Sequence, residues 1–138
     1  MLDPHAAEQL IATAACAIEL PEEWSDYFEA AGPTPPSFDE SRRFPRFHFR
    51  RFAVLGNRST IPALPRPAGS HRVFLKDISR SSVAFLHSEQ LFPCECPELF
   101  MPDGSKWLVT VTRCLRHKER CYEVAATFSG KPATGAAN

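Results

Sequence analysis

Phe47-His48-Phe49-Arg50-Arg51-Phe52-Ala53-Val54-Leu55 is the stretch on which the fold turns. In an extended chain, successive side chains point to opposite faces. Phe47, Phe49, Arg51, Ala53 and Leu55 then share one face, and His48, Arg50, Phe52 and Val54 share the other. Downstream, residues 73–78, 83–87, 98–101, 106–112 and 120–128 read as further short strands. Pro102-Asp103-Gly104-Ser105 has the composition of a hairpin turn, and residues 117–120 supply another. Residues 56–70 form a long loop rich in Pro and Gly. Six antiparallel strands around one Phe/Val/Leu core predict a mainly β fold, a small six-stranded antiparallel β-barrel.

The segment before the barrel reads differently. Ala6, Leu10, Ala14 and Ile18 recur at helical spacing, Asp3 is placed to cap and Pro4 suits a first turn. A helix is expected over residues 4–20, ended by Pro21. A second short helix follows, with Trp24, Tyr27 and Phe28 on one side and Gly32 as its stop. Residues 1–36 are thus an N-terminal helical extension and Pro-rich linker, and residues 40–129 the barrel domain. Residues 130–138 are expected to be a disordered tail.

Charge divides at the same place. The net charge is zero, from 16 Lys and Arg against 16 Asp and Glu. Residues 1–41 hold nine of the acids and no Lys or Arg; residues 42–138 hold every Lys and Arg and seven acids. A basic body prefers an anionic ligand. The acidic leader either aids solubility or faces that body. The five cysteines match no disulfide framework and follow no signal peptide, which points to reduced thiols in a cytoplasm. Cys114 and Cys121 flank a hairpin as candidate cross-strand neighbours. Cys94-Glu95-Cys96 lacks metal-ligand spacing, as do His5, His48, His71, His87 and His117, so no metal is expected. No apolar run reaches the length of a membrane span.

Two motifs carry chemistry. Arg42, Arg43, Arg46, Arg50 and Arg51 fall within ten residues. Guanidinium groups bind phosphate and the O6/N7 edge of guanine bidentately and stack on flat rings. The second motif is Asp77-Ile78-Ser79-Arg80-Ser81-Ser82. In this order the pair resembles the PilZ domain, a bacterial receptor for the second messenger cyclic di-GMP. That family begins with two arginines separated by three residues, as in Arg42-Arg43-Phe44-Pro45-Arg46, with a second match at Arg46–Arg50. Its second motif is Asp or Asn, any residue, Ser, two residues, then Gly; here Ser82 stands in the place of Gly.

The resemblance implies a barrel whose ligand lies across its outside, between the arginine segment and the strand carrying the Asp-Ser motif. Arg42 and Arg46 would grip guanine and phosphate, Arg43 would assist, and Asp77 and Ser79 would meet a guanine edge. Glycine in the last place implies positive φ or close approach to a base. A serine held there would cost about 1–2 kcal/mol. The implied function is a cyclic di-GMP receptor that relays messenger level to a downstream protein, with no cofactor. The alternative is a degenerate PilZ-like adaptor that contacts a protein and binds no nucleotide. No nucleophile–base pair or Gly-rich phosphate loop points to an enzyme. RNA-binding signatures are absent, and the Phe residues alternate as core positions, so nucleic acid is not an expected partner.

Overall fold

A computed structural model of the chain describes residues 3–34, 45–58 and 60–129. Arg42, Arg43, the end of the Pro-rich linker and the tail from residue 130 lie outside the described residues. The strands are β1 (Phe47–His48), β2 (Phe52–Gly56), β3 (Ser70–Ile78), β4 (Ser82–His87), β5 (Glu98–Phe100), β6 (Lys106–Lys118) and β7 (Cys121–Phe128). They pair antiparallel in the order β1-β3-β2-β5-β6-β7-β4, and β4 also pairs with β3. Six strands, β2 to β7, therefore close on themselves as a barrel, with β1 an extra partner of β3. Closure leaves few free edges for unwanted pairing.

The core is what the alternation dictates. Ala53 and Leu55, Val73 and Leu75, Val83 and Phe85, and Val124 and Ala126 all point inward and are buried together with Leu99, Val109 and Val111. Of three register shifts among the described residues of the sheet, two adjust that pattern. One lies between Leu75 and Asp77 in β3. The extra residue lets both Leu75 and Ile78 meet the core and turns Asp77 outward. The second, between Val111 and Arg113, does the same for Val111 and Cys114.

The stretch 47–55 is not one strand. β1 pairs with Asp77 and Ile78, β2 with Ser70–Phe74, and the chain between them bends. There the Arg51 amide donates to the Phe49 carbonyl (3.0 Å), and the Leu75 amide to the Arg51 carbonyl (2.7 Å). The break sits opposite the β3 bulge, so the two irregularities match. Phe49 still packs on the core, while Phe47 is exposed.

The leader also departs from its periodicity. Helix α1 spans Pro4–Thr13 only, capped by Asp3 Oδ1 accepting from the Ala6 amide at 2.8 Å. Beyond it the backbone is captured by the barrel. The Arg72 amide donates to Ala15 (2.7 Å) and the Glu19 amide to Arg120 (3.0 Å). Tertiary pairing outweighs the weak preference of residues 14–20 for helix. Two 3₁₀ turns follow, Glu22–Trp24 and Tyr27–Glu29, and Gly32 reverses the chain with φ +82°. Ile18, Leu20, Trp24 and Tyr27 pack on Phe74, Leu86 and Cys121 outside the barrel. Among the described residues no leader acid forms an ion pair with the body, so apolar packing and hydrogen bonds, not charge pairing, hold this contact.

The β5–β6 turn forms as expected. Gly104 has φ +92°, and Asp103 Oδ1 accepts from both the Ser105 amide and its hydroxyl. Cys114 lies opposite Val124 and Cys121 opposite Lys118, so these thiols are not cross-strand partners. All five cysteines are free. Cys94 has φ +78°. It follows Pro93 in a turn closed by the Glu95 amide donating to Phe92, the position where a type II turn demands positive φ. Among the described residues no helix is long and apolar enough to cross a membrane.

Candidate functional site

Three of the residues singled out above meet on the outer face of the barrel. Val83, Phe85, Val124 and Ala126 point inward. Ser82 and Ala84 of β4, and Ala125 and Thr127 of β7, therefore face out. Together with Asp77, Thr112 and Arg46 they line a notch of about 70 Å³. Small side chains on neighbouring strands make its floor flat. Arg46 precedes β1 and overhangs the notch; Asp77, only 7% exposed, forms its wall.

Ser79 is placed differently. It lines the mouth of the barrel with Phe49, Ile78, Met101, Trp107 and Phe128. Its hydroxyl holds the β3–β4 turn, accepting from the amides of Ser81 (3.2 Å) and Ser82 (3.1 Å) and lying 2.8 Å from the Ser82 hydroxyl. Ser79 thus reaches the notch through Ser82. Arg42 and Arg43 fall outside the described residues.

Ser82 carries no backbone strain. It begins β4, and among the described non-glycine residues positive φ occurs at Cys94 alone. The strain expected from the family's glycine is absent, because the Ser79 hydroxyl satisfies the turn instead. Ser82→Gly is therefore expected to lower stability by about 1 kcal/mol, through a lost hydroxyl contact and a freer unfolded chain. Urea midpoints of the two forms measure this; a gain in stability would revive the strain argument.

The surroundings of Asp77 were not visible in the motif. Register pairs His48 with Asp77 across β1 and β3. The His48 Nδ1 lies 3.2 Å from Asp77 Oδ1, and Lys76 Nζ lies 3.1 Å from Asp77 Oδ2. Arg50 approaches the same ring nitrogen, its guanidinium 3.1 Å from Nδ1. A protonated Nδ1 donates to Asp77, and a bare one accepts from Arg50, so one proton decides which neighbour His48 holds.

Arg50 has further duties. It donates to the carbonyls of Lys76 and Tyr27 at 3.0 Å each and stacks 4.3 Å over the Tyr27 ring. Tyr27 in turn donates its phenol to the Leu75 carbonyl at 2.9 Å. Burial pushes that phenol well above its ordinary pKa, with Arg50 pulling the other way. Arg50 is thus a structural clamp on the leader, whereas Arg46 lines the notch.

Among the described residues no cluster of His, Cys, Asp and Glu is arranged to hold a metal ion. Compared with protein-family models, with curated proteins and with solved structures, the chain has no match.

Proposed function

We propose that this chain is a cyclic di-GMP receptor module of PilZ type, its ligand lying on the outer face of the barrel over the notch. The supporting observation is that Arg46 and Asp77, far apart in sequence, flank the same depression, with Ser82 beside them. The chemistry is complementary. A carboxylate accepts from guanine N1 and N2, a guanidinium donates to O6, N7 or phosphate, and a floor of Ala84 and Ala125 lets a flat purine approach. The notch is far smaller than the nucleotide, so it seats one edge of a ligand that spreads over the neighbouring surface. The module would relay occupancy to a partner protein.

The adaptor reading rests on one observation. Both oxygens of Asp77 already have partners, in His48 and Lys76. A guanine must displace one of them or share it.

Titration calorimetry with cyclic di-GMP, and with GTP as control, separates the two readings. Arg46→Ala is expected to weaken binding about tenfold or more, the loss of a charge-assisted hydrogen bond. Arg51→Ala, on the far side of the bend, is expected to change it less than about threefold. Equal losses would mean unspecific charge attraction, and no binding by the unaltered chain would leave the adaptor.

A further inference from the structure

A cavity lies away from the notch and shares no lining residue with it. It has a volume of about 700 Å³ and opens between α1 and the outer surface of β2 and β3. That volume is in the range of sites for drug-sized molecules. Its walls combine two features rarely left together on a surface.

The first is aromatic. Phe28 and Phe52 line the cavity and are 41% and 39% exposed. Their rings meet edge to face at 5.1 Å, which leaves ring surface open to the cavity. The second is cationic. Arg50, Arg51 and Arg72 line the same space, against the single carboxylate of Glu8 on the helix. Arg50 is committed to Tyr27, Lys76 and His48. Arg51 and Arg72 are not. Among the described residues neither guanidinium has a hydrogen-bond acceptor, and the Arg72 Nε is buried without a partner. Arg72 lies 5.1 Å over the Phe52 ring, which fixes it at the wall.

We propose that this cavity is a second binding site, for an aromatic anion: a flat ring system bearing one carboxylate, sulfonate or phosphate. The ring lies against Phe28 and Phe52, and the anionic group accepts from Arg51 and Arg72. A buried donor without an acceptor is costly, and an oxyanion there supplies the missing partner with a charge-assisted bond. A neutral ring system leaves the buried Arg72 Nε unsatisfied and gives the exposed Arg51 no counter-charge. The site also joins the leader to the barrel, because α1 and Phe28 form one wall while β2 and β3 form the other. A ligand there bridges the two.

The test uses the whole chain and two dyes with nearly the same ring system. 1-Anilinonaphthalene-8-sulfonate carries a sulfonate; N-phenyl-1-naphthylamine carries none. Fluorescence titration is expected to show saturable binding of the sulfonate at one per chain, with the neutral dye about tenfold weaker or more. The Arg51→Gln, Arg72→Gln double variant keeps side-chain bulk and is expected to weaken the sulfonate about tenfold or more. Ala12→Trp, on the exposed face of α1, fills the cavity and is expected to have the same effect. Thermal melts confirm that each variant folds. Arg46→Ala, in the notch, should leave dye binding unchanged. Equal binding of both dyes would overturn the proposal. So would undiminished sulfonate binding in both cavity variants, or loss of it in Arg46→Ala.

Discussion

Glu95→Ala lowers the free energy of unfolding by about 3–5 kcal/mol, the typical result of removing one partner from a buried ion pair. Glu95 is 3% exposed and closes the end of the barrel opposite the β3–β4 turn. Arg66, from the loop between β2 and β3, meets it in a fork. Its Nε donates to Oε1 at 2.9 Å and a terminal nitrogen to Oε2 at 2.7 Å. The Phe92 amide donates to Oε2 as well, at 2.8 Å. Glu95 also holds the Arg66 guanidinium above its ordinary pKa, chiefly by these hydrogen bonds. Truncation takes the buried carboxylate from the guanidinium and leaves the Phe92 amide without that acceptor in a poorly solvated place. The loop loses its charged anchor, although Arg66 still ties it to the Gln90 carbonyl at 2.8 Å. Urea denaturation of Glu95→Ala, Arg66→Ala and the double variant measures the coupling. Single losses under about 1 kcal/mol, adding without coupling, would show that the pair is no more than a surface contact.

The barrel was legible because its core obeys period two. Ala53 with Leu55, Val83 with Phe85, and Val124 with Ala126 need no more than alternation to face inward. Where an extra residue enters, alternation misleads. Leu75 and Ile78 differ in parity yet both reach the core, because the β3 bulge sits between them. The break at Phe49–Arg51 answers that bulge and was hidden for the same reason. The end of α1 was hidden by a different effect. Residues 14–20 have helical spacing, but His71, Arg72 and Arg120 offer the backbone partners that only the folded barrel presents.

The candidate site was legible as types of residue, not as contacts. Arginine near an Asp-Ser motif proposes anion chemistry, and Arg46, Asp77 and Ser82 do meet at one notch. That His48 occupies Asp77 depends on the register of β1 against β3, which no local pattern encodes; Lys76, the other partner, is its neighbour in the chain. Ser82 misled because a place in a motif stood in for a backbone angle. The Ser79 hydroxyl holds the turn through the amides of Ser81 and Ser82, and its further contact with the Ser82 hydroxyl is one that the glycine of the family pattern cannot make. The Arg66–Glu95 fork was likewise out of reach. Its members lie on two loops, and nothing in either loop marks the other.

Acid below pH 6.5 is expected to unload the barrel through His87. This residue ends β4, is fully buried, and neither ring nitrogen has a hydrogen-bond partner. Burial lowers its pKa from 6.5 to about 3, with His71 and Arg66 adding repulsion. The His71 ring stands edge-on at 5.3 Å, with Glu89 3.9 Å beyond it. A folded-state pKa below the unfolded value means that the unfolded chain takes up the proton first. The contribution is therefore complete above pH 6.5 and declines as pH falls towards 3, by about 1.4 kcal/mol per unit. Ordinary carboxylates titrate at about 4, so the window from pH 6.5 to 5 reports chiefly on histidine. His87→Leu is expected to flatten the dependence of the urea midpoint on pH across that window. It should also raise stability at pH 7 by about 1 kcal/mol, since an apolar side chain of similar size leaves no buried polar atom unpaired. A flat profile in the unaltered chain, or an equal slope in the variant, would show that His87 reaches water or a partner and keeps an ordinary pKa.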